Sequence, residues 1–146
     1  MSDFQLDPQL SADCLPLGRI GLCRLLLLNN AQVPWFVLVP EVTVTEFYEL
    51  ERDQQLQILE AINALSTFIK GHFHSDKLNI ASIGNKVRQL HIHVIGRDPG
   101  DYCWPGVVWG APGAKAYEQQ AVAEIRAALA AGLGGGFSPE SLSPKS

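Results

Sequence analysis

"QLHIHVIGR", residues 89–97, sets two imidazoles two positions apart inside a run that otherwise reads as a β-strand. Side chains alternate along a strand. Gln89, His91 and His93 therefore share one face, and Leu90, Ile92 and Val94 the other, with ~7 Å between successive same-face positions. The apolar face has to meet helices, which leaves an amide and two imidazoles facing solvent or a cleft. Gly96 reads as the end of the run.

The segments around this strand supply what its apolar face needs. Asp53 to Lys70 reads as a helix, with Ile58, Ile62, Leu65 and Ile69 along one stripe and Gly71 as its C-cap. A short turn over Thr45 to Leu50 precedes it. "APGAKAYEQQAVAEIRAALAAG", residues 111–132, reads as a second helix with Pro112 near its start, Val122, Ile125 and Leu129 at helical spacing, and Gly132 as its stop. Further strand signals fall at Ile20–Leu28, Trp35–Val39 and Leu78–Ile83, and the turn-like "NNAQVP" joins the first two as a hairpin. Strands joined by turns, with one helix inserted and one at the end, predict an α+β fold with an antiparallel sheet of about five strands. The domain is expected over residues 1–131, and the Gly-, Ser- and Pro-rich stretch 132–146 is expected as a flexible tail.

Composition narrows the function classes. A chain of 146 residues, 47% hydrophobic and 18% charged, buries a core without staples. No run approaches the ~20 apolar residues of a membrane span. A net charge of −4 argues against broad adhesion to nucleic acid while leaving room for a small phosphate pocket. Cys14, Cys23 and Cys103 are odd in number and far apart, which fits neither a disulfide framework nor a thiolate zinc site. The N-terminus has no signal-peptide pattern, and the cytoplasm is the expected compartment.

The paired imidazoles suit phosphoryl chemistry. Near pH 7 a neutral ring nitrogen can attack phosphorus and split one hard displacement into two easier ones. A second imidazole beside it can take a proton, neutralise a phosphate oxygen and assist the leaving group. Upstream, "LNIASIGNKV", residues 78–87, reads as a strand followed by a Gly-Asn-Lys turn whose amides and Lys86 suit an anion.

"LNIASIGNKVRQLHIHVIGR" resembles the signature of the histidine-triad (HIT) superfamily, in which three His alternate with apolar residues; the match is QLHIHVI, residues 89–95. "LLLLNNAQVPWFVLVP" is similar to the family's hairpin, and "CWPG", residues 103–106, to the Trp-Pro segment of one branch. The resemblance implies that His91 is the nucleophile and that His93 fills the third triad position near the phosphate. It puts Asn79 near the phosphate, Asn85 on the leaving-group side, Lys86 at a Ser or Thr position, and Asn29 where a polar group meets ribose hydroxyls. It implies a homodimer acting on the α-phosphate of nucleoside phosphate derivatives through a nucleotidyl-histidine, with no metal or other cofactor. Nucleic acid and membrane are not expected partners.

Two positions depart from that pattern. Gln89 stands at the first triad position, where an amide can orient a neighbour but cannot titrate near neutral pH. Lys86 replaces a hydroxyl with a charged donor. A nucleotide-binding module with weakened catalysis is accordingly a second reading, and a His-based metal hydrolase a third.

Other residues have plainer readings. His72 and His74 fit a helix C-terminus, where imidazolium suits the dipole. Arg88 and Arg97 read as solvated strand ends. Asn29 and Asn30 suit turn geometry as well as ribose contact, and Trp35 and Phe36 read as core.

Overall fold

A computed structural model describes residues 3–140. The elements run in the order α1 (Pro8–Asp13), β1 (Cys14–Ile20), β2 (Cys23–Leu28), β3 (Trp35–Pro40), a 3-10 turn (Phe47–Glu49), α2 (Arg52–Phe73), β4 (Lys77–Ala81), β5 (Ile92–Arg97), α3 (Gln119–Leu133), a second 3-10 turn (Gly134–Gly136) and β6 (Ser138–Pro139). The strands form one six-stranded antiparallel sheet in the order β4-β5-β3-β2-β1-β6. The α+β antiparallel class expected from the sequence is what forms, with six strands rather than five.

One face of the sheet carries the main core. Leu25, Leu27, Phe36, Leu38, Ile92 and Val94 meet Ile58, Leu65 and Ile69 of α2 and Val122, Ile125 and Leu129 of α3. Gly96 stays within β5 rather than ending it, because β5 must pass close to α2 there. A Cβ at Gly96 would collide with Ser75 Oγ and press on Ile69 and Pro34. The opposite face is covered without any long helix. Leu26, Trp35, Val37, Val39 and Ile95 are roofed by the N-terminal segment through Leu10 and by the loop carrying Val108 and Trp109.

Several boundaries move for identifiable reasons. The first strand signal splits at Gly21 and Leu22, and β1 precedes it. The hairpin of β2 and β3 forms as expected, with Cys23 opposite Pro40 and Leu27 opposite Phe36. Helix α2 runs through Gly71 to Phe73, whose ring packs against Phe36 and Phe68, and His74 takes the left-handed cap at φ 57°. Helix α3 starts at Gln119, not near Pro112, because the preceding loop spends its main-chain groups on the hairpin turn. Asn29 Oδ1 accepts from Tyr117 N at 2.8 Å, Asn30 Oδ1 accepts from Lys115 N at 3.3 Å, and Ala31 N donates to Lys115 O at 2.6 Å.

The stretch expected as a tail from Gly132 differs over its described part. Phe137 is buried, and Ser138 and Pro139 pair with Arg19 and Gly18. Gly18 permits that pairing, since a Cβ there would collide with the Ser138 carbonyl. Residues 141–146 lie outside the described residues.

Candidate active site

Paired residues on antiparallel strands point to the same face, so the register places the site. His93 lies opposite Val37 of β3 and Ala81 of β4, on the face away from α2 and α3. Gln89 to His91 run ahead of β5, before its pairing with β3 and β4 begins. The rings of His91 and His93 lie 5.0 Å apart, nearly edge to face, and both line a cavity of about 370 Å³. Neither is solvated: they are 4% and 6% exposed.

Each ring has one nitrogen already committed. His91 Nδ1 lies 2.7 Å from the Gln89 carbonyl oxygen, which can only accept, so the neutral ring carries its proton on Nδ1 and a lone pair on Nε2. Trp35 Nε1, which can only donate, lies 2.9 Å from His93 Nδ1, so the neutral His93 ring carries its proton on Nε2. The two imidazoles thus adopt opposite tautomers. One presents an acceptor and the other a donor.

Burial pushes the His93 pKa down to about 4, and the neighbouring His91 adds to the shift. The cost of protonating this second imidazole is therefore higher than for a solvated ring. His93 is a neutral N–H donor near pH 7.

The cavity wall comes from four segments. Leu10, Asp13 and Cys14 contribute from the N-terminal side, Leu28 and Trp35 from the hairpin, Ile83, Asn85, Lys86 and Val87 from the loop before β5, and Trp109 from the loop after it. Asn85 and Lys86 line this space, with Lys86 an exposed cation at its margin. Burial raises the Cys14 thiol to about 12, with the Asp13 charge a smaller cause, so this cysteine is not a nucleophile.

Three of the expected site residues stand elsewhere. Asn79 shares the sheet face of His93, but its Oδ1 accepts from Arg97 at 2.9 Å, outside the cavity lining. Asn29 holds Tyr117 N as described, also outside the lining. The Gln89 side chain points to the N-terminal segment: Oε1 accepts from Asp7 N at 2.8 Å and Nε2 donates to Gln5 O at 2.9 Å.

The roof over the sheet, the hairpin and the paired imidazoles lie within or beside one continuous match: a family model for the HIT domain covers residues 11–100. The chain belongs to the HIT domain family. Three solved structures of HIT proteins are similar over almost their whole length. A histidine triad protein from Sinorhizobium meliloti 1021 is 36% identical, with a TM-score of 0.87, covering 90% of this chain and 98% of its own. One from Bradyrhizobium japonicum is 35% identical, with a TM-score of 0.85 and coverage of 88% and 97%. One from Marinobacter aquaeolei VT8 is 43% identical, with a TM-score of 0.83 and coverage of 86% and 93%.

Two features of this HIT domain escaped sequence reasoning. Trp35 reads as core and is buried, yet its N–H fixes His93. Trp109 sets its ring 5.3 Å from His93 and 5.9 Å from Trp35, completing an aromatic wall. The hairpin resemblance located Trp35 on a strand next to the site, but nothing in spacing points to its partner. Arg97 is a correction as well. Read as a solvated strand end, it is 2% exposed and paired with Asp101 at 2.6 Å.

Proposed function

We propose that this HIT protein is a nucleotidyl hydrolase or transferase acting on the α-phosphate of nucleoside phosphoramidates or dinucleoside polyphosphates. The observation that carries the reading is the Nδ1–H of His91 held by a main-chain carbonyl, with the ring lining a cavity beside Lys86. A ring fixed in that tautomer needs no base to become a nucleophile.

In the first step the Nε2 lone pair attacks the α-phosphorus. The bond from phosphorus to the leaving nitrogen or oxygen breaks, and its electron pair departs with the amine or phosphate. The departing group takes a proton from water. In the second step water attacks the nucleotidyl-histidine, the P–N bond to His91 breaks, and the nucleoside monophosphate leaves with the ring regenerated. His93 Nε2–H donates to a phosphoryl oxygen throughout, as a neutral donor whose strength rises in a water-poor cavity. Lys86 supplies charge for the phosphate and Asn85 a polar contact on the leaving side. Asn79 and Asn29 act through Arg97 and the hairpin loop, shaping the pocket rather than touching the phosphate. The scheme draws on no metal or cofactor. A homodimer in the cytoplasm completes the proposal.

The deciding experiment mixes the protein with adenosine 5′-phosphoramidate, quenches within one turnover and measures intact mass. A nucleotidyl adduct mapped to His91, lost in His91→Ala, is expected. AMP binding with no adduct at any time point would instead make the protein a binding module.

A further inference from the structure

Gln89 stands next to the reacting centre in sequence, yet its amide is turned away from the cavity. Its two side-chain bonds, to Asp7 N and Gln5 O, reach across more than 80 positions of sequence. Asp7 is the N-cap of α1, where its own carboxylate accepts from Gln9 N at 2.8 Å. Helix α1 then delivers Leu10 and Asp13, followed by Cys14, to the cavity wall. Leu10 is 5% exposed, and Phe4 and Leu6 pack on the same sheet face. The main chain of the same Gln89 meanwhile accepts the Nδ1–H of His91.

We propose that Gln89 is a positioning residue that ties the N-terminal wall of the cavity to the nucleophile. Its carbonyl sets the tautomer of His91, and its amide docks α1 against the same loop, so substrate meets a ring and a wall held by one residue. A primary amide is suited to this, because it offers a donor and an acceptor in one plane to two main-chain groups that present an acceptor and a donor. An imidazole titrates, and in its charged form it has no acceptor for the Asp7 N–H. The inference rests on the reading of His91 as the nucleophile, but its first readout does not.

The test uses the full chain with Gln89→Met, which keeps length and loses both bonds, Leu10→Ala, which trims the wall, and the double variant. Amide exchange over residues 5–13 should accelerate in Gln89→Met even in the absence of ligand. The AMP dissociation constant should rise about three- to tenfold, the range of a lost hydrogen bond. In the Leu10→Ala background, Gln89→Met should weaken AMP binding by less than about twofold, since both changes act through α1. Unchanged exchange over residues 5–13 overturns the proposal. So does a slower adduct step with AMP affinity untouched, which would place the amide at the reacting centre. If wild type forms no adduct at all, the functional reading fails while the exchange result still decides the clamp.

Discussion

The two ends of one run of chain, residues 89 to 97, are buried in opposite ways. At the Arg97 end all three side-chain nitrogens donate. Nε and NH2 grip the Asp101 carboxylate at 2.6 and 3.1 Å, NH1 reaches Asn79 Oδ1 at 2.9 Å, and NH2 also reaches Gly106 O at 2.8 Å. At the histidine end each ring has one satisfied nitrogen and one left over beside a cavity. Burial alone does not mark a site. Unspent hydrogen-bonding capacity next to space does, and a saturated buried ion pair marks a structural anchor.

The sharpest way to break that distinction is Asp101→Ala. Removing the carboxylate strands a guanidinium in the interior, and breaking a buried pair in this way typically costs about 3–5 kcal/mol. Urea denaturation should show a loss of that size, whereas His91→Ala, which trims a ring beside a cavity, should lose far less stability while abolishing the adduct. Equal losses from the two would dissolve the contrast between anchor and site.

An acid titration of stability separates the ends without mutation. Unfolded His93 takes up its proton near 6.5, and folded His93 only near 4. The unfolded state binds more protons between those values, so stability falls as pH drops through that window, by on the order of 3 kcal/mol. Asp101 acts in the same sense at lower pH. Hydrogen bonding to Arg97 lowers its pKa from 3.8 to about 2, so its contribution is present above 3.8 and disappears as pH falls through 2. Urea midpoints measured from pH 7 to 2 should therefore fall in two stages. His93→Gln should remove the upper stage and Asp101→Asn the lower. A single stage common to both variants would contradict the assignment.

How much of this was legible beforehand depends on the range of the interaction. The alternation of Gln89, His91 and His93 against Leu90, Ile92 and Val94 is local, and it correctly put the apolar residues against α2 and α3. The α2 stripe was legible for the same reason. β1 was not, because Pro16 and Gly18 interrupt its strand pattern; the strand survives through a bulge between them and its pairing with β2. The Trp35 to His93 bond, the Gln89 clamp and the Arg97 to Asn79 contact join residues that are 58, 82 and 18 positions apart. No periodicity encodes them. Asn79 and Asn29 show the cost of carrying roles over by position: both polar groups are present, but each is already engaged with another part of the chain.

The tryptophan lock tests the histidine end itself. Trp35→Phe keeps an aromatic ring, smaller than the indole, but removes the N–H, leaving a buried His93 Nδ1 without its donor, a loss of at least about 1–3 kcal/mol in stability. His93 is then free to place its proton on either nitrogen. Nitrogen NMR of the imidazoles should show the wild-type ring protonated on Nε2 and a mixture in the variant, with the adduct rate reduced about tenfold, equivalent to ~1.4 kcal/mol. A variant that keeps a single Nε2–H tautomer and the full rate would show that Trp35 is packing alone.

The smallest expected effect comes from the two arginines that bracket the strand and look alike in sequence. Arg88 lies in the exposed loop before β5, while Arg97 is among the largest fully buried side chains. Arg88→Ala should therefore change stability by no more than about 0.5 kcal/mol, the ordinary range for an exposed substitution. Arg97→Ala removes the partner of Asp101 and the tether on Gly106, and with it the support of the loop that carries Trp109 to His93. It should cost several-fold more in stability and should also slow adduct formation. Measured side by side by urea denaturation and by quenched mass, the pair isolates burial and saturation from residue type. A sizeable loss in Arg88→Ala would mean that the loop lining the cavity is anchored by charge as well, and the histidine end would no longer be the one left unsaturated.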